Sequence, residues 1–164
     1  MTNLSHNKQR AVRIPACGLT TRALPLAGYT NYGSGSTSHT VYKGGVLICD
    51  VSDTDGYFSR LASGTTVAST DIFGGIAAEK QVVGSSDAAD GSKRVTAYVD
   101  GTWAFAKGSI AITDIGAVAY ATDDDTITTT NTGALAIGII VDVDSSYAWV
   151  DISDYAGKVS ATTG

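Results

Sequence analysis

The stretch "VTAYVDGTWAFA", residues 95–106, decides the fold class. "VTAYVD" runs in period two, the spacing of a strand with one face covered. Asp-Gly is a strong short turn signal, and "TWAFA" resumes β-prone residues beyond it, so 95–106 is expected to form a hairpin. The same grammar extends in both directions. Upstream lie "VLICDV" (46–51), a turn "DTDG" (53–56) and "YFSRLA" (57–62). Downstream lie "SIAIT" (109–113), "AVAYAT" (117–122), "IGIIVDV" (137–143) and "YAWVDIS" (147–153), the last preceded by a "DSS" turn. Only "DIFGGIAAEKQVV" (71–83) offers a short helix, and its paired glycines weaken it. Short strands punctuated by Gly and Asp predict an all-β fold, a small β-barrel or β-sandwich, over residues 44–164.

Residues 1–43 read differently. They hold Lys8, Arg10, Arg13, Arg22 and Lys43 and no acid, whereas the whole chain carries a net charge of −5. Pro15 and Pro25 interrupt the segment, and "GYTNYGSGSTSHT" (28–40) is a Gly/Ser/Thr linker with two tyrosines. The expectation is an extended N-terminal arm, basic and studded with apolar anchors, that either stays disordered or orders on an acidic partner. Its candidate partner-binding residues are Arg10, Val12, Arg13, Ile14, Arg22, Leu24, Leu26, Tyr29 and Tyr32.

Composition narrows the function classes. At 164 residues the chain is long enough for one domain with its own core. Charged residues are 16%, against about 25% in an average soluble domain, which suits a surface largely covered by neighbours. "MTNLSHNKQR" has no apolar signal region, and no apolar run approaches the roughly 20 residues that span a bilayer, so a cytoplasmic origin and no membrane partner are expected. Cys17 and Cys49 show no metal spacing and are expected in or near the core. Nucleic acid is not the expected partner: the arm's charges are sparse and the body is acidic.

Chemistry-bearing patterns are weak. "VSDTDGYFSRLA" (51–62) imitates half of a calcium loop, with Asp53, Asp55 and Gly56 in place, but its first and twelfth positions are Val51 and Ala62. A turn is the better account. "ATDDDTITTT" (121–130) sets Asp123, Asp124 and Asp125 side by side. On a strand adjacent carboxylates point to opposite faces, so the run reads as a wet hairpin tip rather than a metal site. The two histidines, His6 and His39, both lie in the arm, and the one glutamate, Glu79, has no evident partner. No nucleotide or zinc-protease motif appears. No enzyme activity, metal or cofactor is expected. Trp103 and Trp149 lie in strand-like runs and are expected in the core or a subunit interface, with sugar stacking as the alternative.

Residues 108–153 carry a resemblance. A strand leads to Gly116, Val118 and Tyr120 and the acidic turn Asp123 to Asp125. A Thr-rich strand (Thr128 to Thr130) follows, then a turn with Gly133, Ile137 and Gly138, then a strand ending in Val150 and Ile152. This pattern, with "VTAYVDGTWAFAKG" (95–108) upstream, resembles the capsid decoration, or structural cement, proteins of tailed phages. The resemblance spans about 60 residues well and 44–152 loosely, and does not reach the arm. It implies a non-enzymatic virion protein on the capsid exterior, made in the bacterial host cytoplasm. It also implies a homotrimer that bridges major capsid protein subunits. The rival readings are a phage tail or fibre component and a lectin-like β-sandwich using Trp103 or Trp149.

Overall fold

A computed structural model describes residues 3–33, 35–51 and 54–158. The chain is all-β, and its described residues form three antiparallel sheets. Its strands are β1 (Val12–Arg13), β2 (Thr21–Pro25), β3 (His39–Val41), β4 (Val46–Cys49), β5 (Ser59–Arg60), β6 (Ile72–Ala77) and β7 (Gln81–Val83). They continue with β8 (Arg94–Tyr98), β9 (Thr102–Ala106), β10 (Val118–Ala121), β11 (Ile127–Thr128), β12 (Leu135–Val143) and β13 (Tyr147–Asp151). The six-stranded sheet runs β1-β9-β13-β12-β10-β11, the five-stranded sheet β2-β8-β6-β4-β5, and β3 pairs with β7 alone.

The sheets stack in three layers. Val46, Ile48, Phe73 and Ile76 of the five-stranded sheet share one buried cluster with Trp103, Phe105, Ile137, Ala148 and Val150 of the six-stranded sheet. The opposite face of the five-stranded sheet, with Leu47, Val95 and Ala97, packs with Leu26, Val41 and Val83 in a second cluster. β4 is therefore buried on both faces, which is why "VLIC" is an unbroken apolar run rather than an alternating one. The even residues of β13 face the core and the odd ones face outward, as its alternating burial shows.

Residues 95–106 do not form a hairpin. β8 pairs with β2 and β6, whereas β9 pairs with β1 and β13. The chain crosses from one sheet to the other at Val99–Gly101. Gly101 (φ +93°) makes the turn, and a Cβ there would sit 2.7 Å from Leu19 Cδ2. Asp-Gly thus marked the turn correctly, but local sequence did not say which strands would pair. Two other expectations change. Residues 71–83 form β6 and β7, not a helix: a Cβ at Gly74 would meet Phe58 Cδ1 at 2.8 Å, and one at Gly75 would meet Tyr98 O of the neighbouring β8 at 2.3 Å. "SIAIT" holds a short 3-10 turn, Ile112–Asp114, instead of a strand.

The acidic run does close a hairpin, since β10 pairs with β11 across it, but its tip is not wet. Asp123 and Asp124 are fully buried. Asp123 Oδ1 accepts the backbone N–H groups of Asp125 and Thr126 at 2.8 and 2.7 Å, the local bonding that suits Asp to turns. Tyr57 N–H donates to Thr54 O at 2.9 Å in the turn expected near Gly56; Asp53 lies outside the described residues. Cys49 is buried, but Cys17 is exposed, against the expectation of a core position.

Gly138 is held by close approach. A Cβ there would meet Asp151 O at 2.3 Å and Val150 Cγ1 at 2.6 Å, across the β12–β13 pair. Gly138→Ala is expected to cost about 1–3 kcal/mol through overpacking, read as a lower urea midpoint with unchanged slope.

Candidate docking face

The basic segment is folded into the body, not extended from it. β1 adds to an edge of the six-stranded sheet through Val12↔Trp103 and Arg13↔Thr102. β2 adds to an edge of the five-stranded sheet through five residue pairs with β8. β3 pairs with β7. The division at residue 43 therefore separates no structural unit among the described residues. The physical reason is charge and strand complementarity within one chain: the acids that Lys8, Arg10 and Arg13 meet, Asp125 and Asp142, are the chain's own.

Arg10 shows this most fully. Its side chain is buried, with the guanidinium 4.1 Å over the Phe105 ring. Nε donates to Gly44 O, Nη1 to Ala104 O at 3.3 Å, and Nη2 to Asp124 O at 3.2 Å and Asp125 Oδ1 at 2.8 Å. Burial pushes its pKa down, opposed by Asp125. Lys8 Nζ adds bonds of 2.7 and 2.9 Å to the Asp125 carboxylate, and Leu4 N–H donates to Asp124 Oδ1 at 2.8 Å.

The nine residues picked as partner contacts thus scatter. Arg10 and Leu26 are buried, and so are corrected to core positions. Val12 packs against the inter-sheet cluster, while Leu24 and Tyr29 pack against the second cluster. Tyr32 stacks on His39, ring centroids 4.0 Å apart. Arg22 is exposed on the β2 edge. Arg13 alone of the nine is placed against the outward Trp149 ring.

That ring lies on the outer face of the six-stranded sheet. β13 presents Tyr147 and Trp149 outward, with rings 6.4 Å apart and edge-on at 69°. Arg13 lays its guanidinium 4.1 Å over the Trp149 ring and pairs with Asp142 Oδ2 at 2.6 Å. Trp149 Nε1 donates to Asp144 Oδ2 at 2.9 Å. That bond, with the Ser146 and Tyr147 N–H groups on Oδ1, holds the Asp144 carboxyl below its usual range. Ile14, next to Arg13, is 62% exposed. The arrangement is a braced aromatic and guanidinium platform, suited to contact with a flat partner surface.

Tyr147, Asp142 and Asp144 are members that the sequence reading missed. The signal was present: period two in "YAWVD" already places Tyr147 and Trp149 on one face. Comparison with protein-family models, curated proteins and solved structures yields no match.

Proposed function

We propose that this chain is a virion structural protein that decorates the outside of a tailed-phage capsid, bridging major capsid subunits as a homotrimer. The resemblance of residues 108–153 supports the reading, and the observation that carries it is the Arg13–Trp149–Tyr147 platform. Trp, Tyr and Arg are the side chains on which interface free energy concentrates. Asp142 and Asp144 hold two of them in place beforehand, so less side-chain entropy is lost on docking. With the basic segment paired in cis, the decoration reading rests on this face and not on a free arm. A patch of about 800 Å² per partner would suffice for each contact. Three such contacts on one trimer act as multivalent attachment, so modest single affinities sum to a firm grip.

The test is binding of the purified protein to undecorated, expanded capsid shells, with particle imaging to locate it on head or tail. Trp149→Ala is expected to weaken binding about 30-fold while leaving circular dichroism unchanged. Equal binding by Trp149→Ala and Arg13→Ala would overturn the reading. Light scattering should give three times the chain mass; a strict monomer at high concentration counts against the trimer. The lectin-like alternative is disfavoured because Arg13 already covers one face of the Trp149 ring. Glycan-array hits lost in Trp149→Ala would reverse that judgement.

A further inference from the structure

The sequence holds three Asp-Gly pairs, at 55–56, 90–91 and 100–101. Such a pair can react with itself: the glycine nitrogen and the aspartate side-chain carbon can close a five-membered ring, and glycine has no side chain to hinder it. The three pairs are held very differently. Asp90 accepts on both oxygens, from Gly28 N–H at 2.7 Å and Asn31 Nδ2 at 3.2 Å, and Gly91 N–H donates to Leu26 O at 2.9 Å. Asp100 Oδ1 accepts Thr20 N–H at 2.8 Å, and the buried Gly101 donates its N–H to Ser153 Oγ at 3.3 Å. Asp55 and Gly56 are both exposed. Neither the Asp55 carboxylate nor the Gly56 N–H makes a hydrogen bond or ion pair among the described residues. These two residues are the centre of a tight turn closed by Tyr57 N–H on Thr54 O at 2.9 Å. Both have positive φ, +50° at Asp55 and +90° at Gly56, and a Cβ at Gly56 would meet no atom within 4 Å.

We propose that Asp55 is a site of spontaneous backbone modification, closing onto Gly56 to a succinimide and reopening as isoaspartate, while the fold protects Asp90 and Asp100. In the first step the bond from Gly56 N to Asp55 Cγ forms and a Cγ–O bond breaks. The hydroxyl leaves with the amide proton as one water. Water then adds to either ring carbonyl. Opening at Cγ restores aspartate; opening at the Asp55 main-chain carbonyl leaves the backbone running through Cγ, one methylene longer. Ring closure moves the glycine nitrogen and the carboxyl together. At 90–91 and 100–101 that movement first breaks hydrogen bonds of the reacting groups, and each such bond lowers the reactive population about tenfold. At 55–56 the reacting groups have no such bond to break. The product alters its surroundings, because a longer backbone does not keep the Tyr57–Thr54 bond. Thr54 beside it is buried, with Oγ1 2.8 Å from Asp50 O, and Phe58 N–H donates to Pro25 O at 2.9 Å. The turn joins β4 to β5, on different strands from the Trp149 platform, and the proposal stands whether or not the capsid reading does.

The experiment incubates the intact protein for several weeks at pH 7 and physiological temperature, once folded and once in concentrated urea. Peptide mapping with electron-transfer fragmentation reads isoaspartate at each of the three sites. Methyl transfer from S-adenosylmethionine by an isoaspartate-specific methyltransferase reads the total. In the folded protein isoaspartate is expected at Asp55 at least about tenfold faster than at Asp90 or Asp100. In urea the three rates should draw level within a few-fold. Asp55→Ser is expected to remove most methyl acceptance from the folded protein. Asp55→Asn should speed the reaction, with ammonia leaving instead of water. Equal rates at the three sites in the folded protein overturn the proposal. So does methyl acceptance unchanged in a folded Asp55→Ser, or a folded protein free of isoaspartate while the unfolded chain accumulates it at residue 55.

Discussion

Arg10→Met is expected to lower the unfolding free energy by about 3–5 kcal/mol, the usual cost of removing one partner from a buried charge cluster. The side chain ties together three parts of the fold. Its donors reach the carbonyls of Gly44 before β4, Ala104 in β9 and Asp124 in the β10–β11 turn, and also the Asp125 carboxylate. Methionine fills similar space over Phe105 but leaves those acceptors facing an apolar stem. Urea unfolding at pH 7 measures the loss. Arg13→Ala, three residues on, is the contrast. Its ion pair with Asp142 is about half exposed on both sides, so the change should cost no more than about 1 kcal/mol. If both variants lose the same small amount, Arg10 is not the strap the geometry describes. By the same reasoning a chain truncated to 44–164 should fail to fold. It lacks β1, β2 and β3, and with them Leu26 and Val41 of the second cluster.

Strand content and turn positions were legible because they are local. Period two in "YAWVD", the Asp-Gly at 100–101 and the side-chain bonding of Asp123 are each decided within a few residues. Pairing was not legible, because it depends on sheet edges far apart in sequence. Nothing in "VTAYVDGTWAFA" says that β8 will pair with β2 and β9 with β13. The basic segment misled for a related reason. Its charge asymmetry was real, but Lys8 and Arg10 meet Asp125, and Arg13 meets Asp142, across separations of more than a hundred residues. A charge-complementary arm reads the same whether its partner is another chain or its own body. Of the candidate site, Arg13 and Trp149 were singled out from sequence. Their convergence required the β1–β9–β13 order.

Between pH 7 and 4.5 the wild-type protein should show little net contribution from His39 and Asp124, two buried groups with shifted pKa values, because they oppose each other. Asp124 is fully buried, and desolvation lifts its pKa from 3.8 to about 6. Its folded form takes up a proton more readily than the unfolded chain, so it adds stability as pH falls through 6. His39 is held near 4 against 6.5 unfolded. Its unfolded form takes up the proton first, so it subtracts stability as pH falls below 6.5. Each effect is about 2 kcal/mol over this interval, with opposite sign. The variants separate them. His39→Phe, which keeps the stack on Tyr32, removes the loss and should leave a protein that gains about 2 kcal/mol relative to wild type on going from pH 7 to 4.5. Asp124→Asn removes the gain and should lose a similar amount over the same range. Arg60 acts on both groups, lowering the pKa of each, so Arg60→Gln should raise both, shrinking the His39 loss and enlarging the Asp124 gain, and the variant should gain stability relative to wild type on going from pH 7 to 4.5. Urea midpoints at the two pH values decide the matter. Parallel pH profiles for wild type, His39→Phe and Asp124→Asn would mean that neither group is as deeply desolvated as the fold places it.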